Sequence, residues 1–163
     1  MIELRRVDAD NLWDVAGLSV SPEQKHFVAS NTSSIMEAYV CIASGGTALP
    51  FGIYADGTLV GFLMIAYGCA DWPEAPEVAH DRYSLWRFMI DQRYQGRGYG
   101  RAALQKAVEY MKTLPCGPSD GCWLSYERDN HAARRLYQSF GFEETGEMDG
   151  DEVIALLKWR KNE

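Results

Sequence analysis

Tyr83-Ser84-Leu85-Trp86-Arg87-Phe88-Met89-Ile90-Asp91, followed shortly by Gln95-Gly96-Arg97-Gly98-Tyr99-Gly100-Arg101, sets the plan of this chain. The first segment, rich in aromatic and aliphatic side chains, predicts a strand. Beyond the glycines, Leu104, Ala107, Val108 and Met111 share one helical face, and Pro115 marks its end. A glycine-rich turn between a strand and a helix is suited to phosphate. Its glycines let backbone N–H groups approach an anion closely, and the helix adds the positive end of its dipole. One helix-terminus interaction contributes only about 0.3–1 kcal/mol, or up to about 2 when partly buried. Several donors, with Arg97 and Arg101, must therefore act together on a polyphosphate.

Spacing narrows the ligand. A P-loop needs Gly-Lys-Ser/Thr after four intervening residues, and no such Lys-Ser or Lys-Thr follows here. The dinucleotide fingerprint needs G-x-G-x-x-G near the start of a βαβ unit, whereas this chain has G-x-G-x-G in mid-sequence after a glutamine. The pattern Gln-x-x-Gly-x-Gly, at Gln95, Gly98 and Gly100, resembles the acyl-CoA pyrophosphate loop of the GNAT superfamily of N-acetyltransferases. The resemblance extends from about Tyr83 to Phe142, through strand, loop, long helix, second strand and a short helix with Asn130 and Tyr137 in the family's order.

At 163 residues, with 47% apolar and 24% charged composition, the chain is sized for one soluble domain spanning 1–163. It has no apolar run near 18 residues, and its N-terminus lacks the apolar core of a signal peptide, so a cytoplasmic protein without membrane partner is expected. A net charge of −7 disfavours nucleic acid and favours a cationic partner. Cys41, Cys69, Cys116 and Cys122 fit no zinc spacing and are expected to be free thiols, with no metal bound.

The remaining elements read outward from the loop. Ile2 to Val7 alternates as a strand, and Asn11 to Leu18 reads as a short helix. Ser21-Pro22-Glu23-Gln24 carries a capping box, Ser33 or Ser34 opens a helix through Ile42, and Gly45-Gly46 ends it. Phe51 to Ala55 and Leu59 to Tyr67 form a hairpin about Asp56-Gly57. Cys122 to Tyr126 is a strand, Asn130 caps a helix ending near Gly141, and Val153 to Trp159 is the last strand. This order predicts an α/β fold, a mixed and mostly antiparallel sheet flanked by helices. Resemblance to the GNAT fold further implies that the central strands splay beside Ile90, opening a slot for the pantetheine arm.

Acyl transfer to an amine requires a deprotonated nucleophile, donors for the oxyanion and an acid for the departing thiolate. The resemblance implies acetyl-CoA as co-substrate, with backbone groups of Phe88, Met89 and Ile90 on the pantetheine and an N–H near Met89 polarising the carbonyl. It implies that Gln95, Gly96, Arg97, Gly98, Tyr99, Gly100 and Arg101 hold the pyrophosphate, that Asn130 contacts the cofactor arm, and that Tyr137 puts its hydroxyl on the sulfur. By pattern alone Tyr137 also suits packing, beside Leu136 and Phe140. Glu127, at a strand end, is a candidate base and equally an ordinary solvated carboxylate.

The acceptor site of the superfamily is built by the early helices and the loop before the cofactor strand. Here these segments mix carboxylates and aromatics, with Glu23, Glu37, Trp72 and Glu74 as candidate substrate contacts. Carboxylates pair ammonium groups, and aromatic faces take cations and methylenes. Over nearly the whole length the sequence resembles the spermine/spermidine (diamine) N-acetyltransferases of bacilli, which implies a small cationic polyamine as acceptor. Another amine (an aminoglycoside, an amino acid or a protein N-terminus) and a non-catalytic acyl-CoA sensor remain alternatives. A homodimer is the assembly the family often adopts.

Overall fold

The computed structural model describes residues 1–68 and 74–159. Its centre is a seven-stranded sheet in the order β1-β2-β3-β4-β5-β7-β6. The strands are β1 (Ile2–Arg6), β2 (Thr47–Ala55), β3 (Thr58–Tyr67), β4 (Tyr83–Ile90), β5 (Gly121–Glu127), β6 (Glu143–Asp149) and β7 (Glu152–Lys158). The helices are α1 (Leu12–Ala16), α2 (Asn31–Ala43), α3 (Tyr99–Lys112) and α4 (His131–Ser139). All neighbouring strands run antiparallel except β4 and β5. No helix among the described residues is long and apolar enough to cross a membrane.

Two cores divide the helices between the faces of the sheet. α3 and α4 cover Leu63, Ile65, Leu85, Leu124 and Tyr126 through Ala103, Leu104, Ala107, Met111 and Tyr137. α1 and α2 cover Phe62, Met64 and Met89 through Val15, Ala38 and Cys41. The alternation of side chains along β3 thus serves both layers. Buried Asn31 ties the second layer together: its Nδ2 donates to the Val15 carbonyl at 2.9 Å and approaches the Met89 sulfur at 3.8 Å.

Several boundaries differ from expectation for local reasons. α2 begins at Asn31, before Ser33, because the Ser30 Oγ accepts the Ser33 N–H and caps the helix there. The capping box at Ser21 is present, but only one 3-10 turn, Pro22–Gln24, follows it. β2 starts at Thr47 and contains Pro50, whose carbonyl accepts the Val7 N–H at 3.0 Å but which has no N–H to return, so the β1 ladder stops at Arg6 with Phe51. β6, at the sheet edge, was not expected: six of its seven residues are exposed, so it has no apolar alternation to read. Cys116 and Cys122 are free thiols, whereas Cys41 is disulfide-bonded, which corrects the free-thiol reading at that position.

Candidate active site

The slot arises from a mismatch between neighbouring strands. β4 pairs with β5 only at Tyr83–Cys122 and Ser84–Trp123, so the β4 edge from Leu85 to Ile90 has no strand partner on that side. On its other side β4 stays paired to β3 as far as Ile90, with Trp86 as an extra residue where the register shifts. Gly61 allows this close approach, since a Cβ there would lie 2.5 Å from the Met89 carbonyl oxygen. A cavity of about 670 Å³ fills the opening between β4, the glycine turn and α4.

The glycine turn is held from three directions. Gly96 and Gly98 take φ values of 76° and 81°, a left-handed conformation that side chains resist, with open space where a Cβ would stand. The Gln95 Nε2 donates to the Ile90 carbonyl and to the Gln24 Oε1, both at 2.9 Å. At the base of the turn, buried Asp91 accepts from Ser19 N–H, Arg93 N–H and Arg93 Nε at 2.8–3.0 Å. Burial pushes the Asp91 carboxyl upward, but Arg93 and the two backbone donors outweigh it and hold the group below its ordinary value. α3 then begins at the turn with no acid in its first turn, so its amino end stays open to an anion.

Nine of the residues expected at the cofactor line this slot: Phe88, Met89, Ile90, Gln95, Gly96, Gly98, Tyr99, Gly100 and Asn130. Arg97 and Arg101 stand outside its wall. The Arg97 guanidinium donates to the Arg93 carbonyl and lies over Tyr94, while Arg101 donates to Ser139 Oγ at 2.7 Å and lies over Phe140. Asn130 caps α4 by accepting the Ala133 N–H at 3.2 Å. Tyr137 follows two turns later on the slot face, packed against Tyr126 and Phe142. Its hydroxyl makes no hydrogen bond among the described residues. Burial first, then the charge of Glu152 and the presence of Tyr126, push the phenol above its ordinary range.

A second cavity of about 300 Å³ opens on the α2 side of the sheet. Leu85, Trp86, Arg87, Ser125, Asp149, Glu152 and Glu74 border both cavities, so the two meet across β4. Glu37 lines the second cavity but is committed, accepting from Arg87 at 3.0 and 3.2 Å. Arg82 is likewise paired with Asp120. Glu74, Asp149 and Glu152 have no cation partner among the described residues. Trp86 and Trp123 supply aromatic surface. Glu152 accepts from Ser125 Oγ at 2.6 Å. Burial raises its carboxyl, the Ser125 bond opposes this, Glu127 and Asp149 raise it further, and Arg87 lowers it. Asp149 is also raised by burial, with Arg87 opposing and Glu74 adding to the shift.

The remaining candidates divide. Glu74 sits at the junction, at a positive φ of 64°. Exposed Glu23 and the strand-end Glu127 border neither cavity. Trp72 lies outside the described residues. Sequence reasoning missed Ser125, Asp149 and Glu152. A signal existed: Asp149-Gly150-Asp151-Glu152 contains the same Asp-Gly hairpin mark as Asp56-Gly57, and it pairs Asp149 with Glu152 at the end of the β6–β7 hairpin.

A strand splayed from its parallel neighbour, a glycine turn opening a helix, and a tyrosine facing the gap define an acyl-CoA-dependent transferase. Residues 20–142 match the Acetyltransferase (GNAT) family. Over 158 residues the chain is 36% identical to the spermine/spermidine N(1)-acetyltransferase of Bacillus subtilis (strain 168), covering 94% of this chain and 97% of that enzyme. Among solved structures, the aminoglycoside acetyltransferase AAC(6')-Ib in complex with coenzyme A superposes with a TM-score of 0.79 at 16% identity, over 97% of this chain and 95% of that one. The spermidine N-acetyltransferase of Vibrio cholerae, in complex with CoA and spermine, gives 0.66 at 17% identity, over 95% and 92%. The chain belongs to the GNAT acetyltransferase family and is an acetyl-CoA-dependent N-acetyltransferase.

Proposed function

We propose that the acceptor is a polyamine of the spermine/spermidine class, acetylated on a primary amine by direct attack while acetyl-CoA is bound. One observation carries this reading: the cavity that meets the cofactor slot presents Glu74, Asp149 and Glu152, none of them in an ion pair among the described residues, beside Trp86 and Trp123. Carboxylates set along an aromatic-walled cavity suit ammonium groups spaced by methylenes. The names of the relatives and of the spermine-bound structure agree with it.

In the reaction, the glycine turn and the amino end of α3 hold the pyrophosphate, and the open β4 edge takes the pantetheine arm. The amine lone pair attacks the thioester carbonyl carbon, a backbone N–H near Met89 steadies the oxyanion, and collapse breaks the C–S bond. Tyr137 donates to the leaving sulfur. A phenol of ordinary pKa about 10 lies about 2 kcal/mol uphill from a thiol of about 8.5, and the upward shift of Tyr137 widens that gap. Burial therefore keeps Tyr137 neutral, as a hydrogen-bond donor to the sulfur, and its proton crosses only as the second amine proton reaches the phenol oxygen.

The test is release of free CoA thiol from acetyl-CoA across spermine, spermidine, putrescine, lysine, kanamycin and a short peptide. Saturable turnover with spermine or spermidine, well above the rest, is expected. Preference for kanamycin or the peptide overturns the polyamine reading. Inert amines together with acetyl-CoA binding would indicate the sensor.

A further inference from the structure

Within that reading, on which this inference rests, the amine must lose a proton before it can attack. A primary ammonium with a pKa near 10 is almost entirely protonated at neutral pH. The expected base, Glu127, borders neither cavity. Three carboxylates stand at the junction, and their settings differ. Glu74 is exposed on the loop before β4, and the Asp149 carboxylate accepts no hydrogen bond among the described residues. Glu152 alone is held: Ser125 Oγ donates to its Oε2 at 2.6 Å, while its Oε1 accepts no hydrogen bond among the described residues. Its place is set by the sheet, because β5 and β7 pair Ser125 with Ile154 and Glu127 with Glu152 on the acceptor-cavity face. Glu152 borders both cavities, as does the Ser125 that orients it, and Tyr137 lines the slot beside it.

We propose that Glu152, oriented by Ser125, is the catalytic base that takes the first proton from the reacting ammonium. The carboxylate oxygen Oε1 accepts one N–H proton of the bound ammonium, giving a neutral amine and a neutral carboxyl. The amine attacks the thioester carbon, the C–S bond breaks, and the second nitrogen proton replaces the one Tyr137 delivers to sulfur. Amide and CoA thiol leave, and Glu152 returns its proton to water. The groups facing Glu152 suit this exchange: Ser125 and Glu127 from β5, Asp149 from the end of β6, Arg87 from β4 and Tyr137 from α4. Burial and the neighbouring acids lift the carboxyl toward the working pH, which makes it a better proton acceptor than a free glutamate.

The experiment compares Glu152→Gln with the full chain on spermidine between pH 6 and 10, with acetyl-CoA affinity measured by calorimetry. Expected is a fall in kcat/KM of about 10²–10³-fold at pH 7, with CoA binding within a few-fold. The deficit should shrink toward pH 10 as the amine deprotonates unaided. Ser125→Ala should give a smaller fall with the same trend. If Glu152→Gln is poorly folded, Glu152→Asp carries the test, because it keeps a carboxylate that should show partial activity and an altered acidic limb. A variant within a few-fold of wild type at pH 7, or a deficit equal at every pH, overturns the assignment of Glu152 as base. Failure of the wild type itself to turn over polyamines overturns the acceptor reading instead.

Discussion

Tyr137 shows how one residue can satisfy packing and chemistry together. Its ring contacts Tyr126 and Phe142 in the core, while the residue also lines the slot and its hydroxyl has no hydrogen-bond partner among the described residues. Pattern reading placed it on the apolar face of α4 and could go no further, because a helical face carries no sign of which ring edge meets a cavity. The roles therefore separate under substitution. Tyr137→Phe keeps the ring and removes only the donor, so thermal stability should change by less than about 1 kcal/mol. Loss of the donor to sulfur should lower kcat by about 10²-fold near neutral pH and leave acetyl-CoA affinity within a few-fold. Steady-state kinetics with calorimetric CoA binding checks both, and unchanged kcat would remove Tyr137 from the leaving-group step.

At the scale of elements, legibility followed how strongly each segment depends on its own sequence. β4, the glycine turn, α3 and Asn130-capped α4 carry local signals, and they were readable. β6 was not, since Glu143-Glu144-Thr145-Gly146-Glu147-Met148-Asp149 becomes a strand only by pairing with β7. Losing β6 also hid Asp149 and Glu152, because their juxtaposition exists only across that hairpin. The junction of β4 with its turn depends on Asp91, which is 3% exposed and binds two backbone N–H groups and Arg93. Asp91→Asn removes the charge from these bonds and should destabilise the fold by about 2 kcal/mol at pH 7. The carboxyl is held below its unfolded value, so its contribution is complete above that value and fades as pH falls through the folded one. Urea midpoints for both proteins should thus converge as the pH drops below about 4. A stability gap constant from pH 7 to pH 3 would contradict this account.

For the whole molecule, charge links the surface to the cavity. The chain carries a net charge of −7, and the acceptor cavity concentrates Glu74, Asp149 and Glu152 where the slot opens. A like-signed surface and cavity attract a polycation from a distance and then pair it, and both effects grow with the number of ammonium groups. Screening weakens the first effect far more than the second, since the Debye length shrinks from about 30 Å at 0.01 M salt to about 8 Å at 0.15 M. Raising salt over that range should lower kcat/KM for spermine more than for spermidine, and for spermidine more than for a monoamine, with kcat nearly constant. Spermine should thus lose about tenfold while a monoamine loses little, a contrast set by their charges alone. Equal salt slopes for all three amines would show that the acidic cavity does not select by charge, and would leave shape and the aromatic walls as the source of any preference.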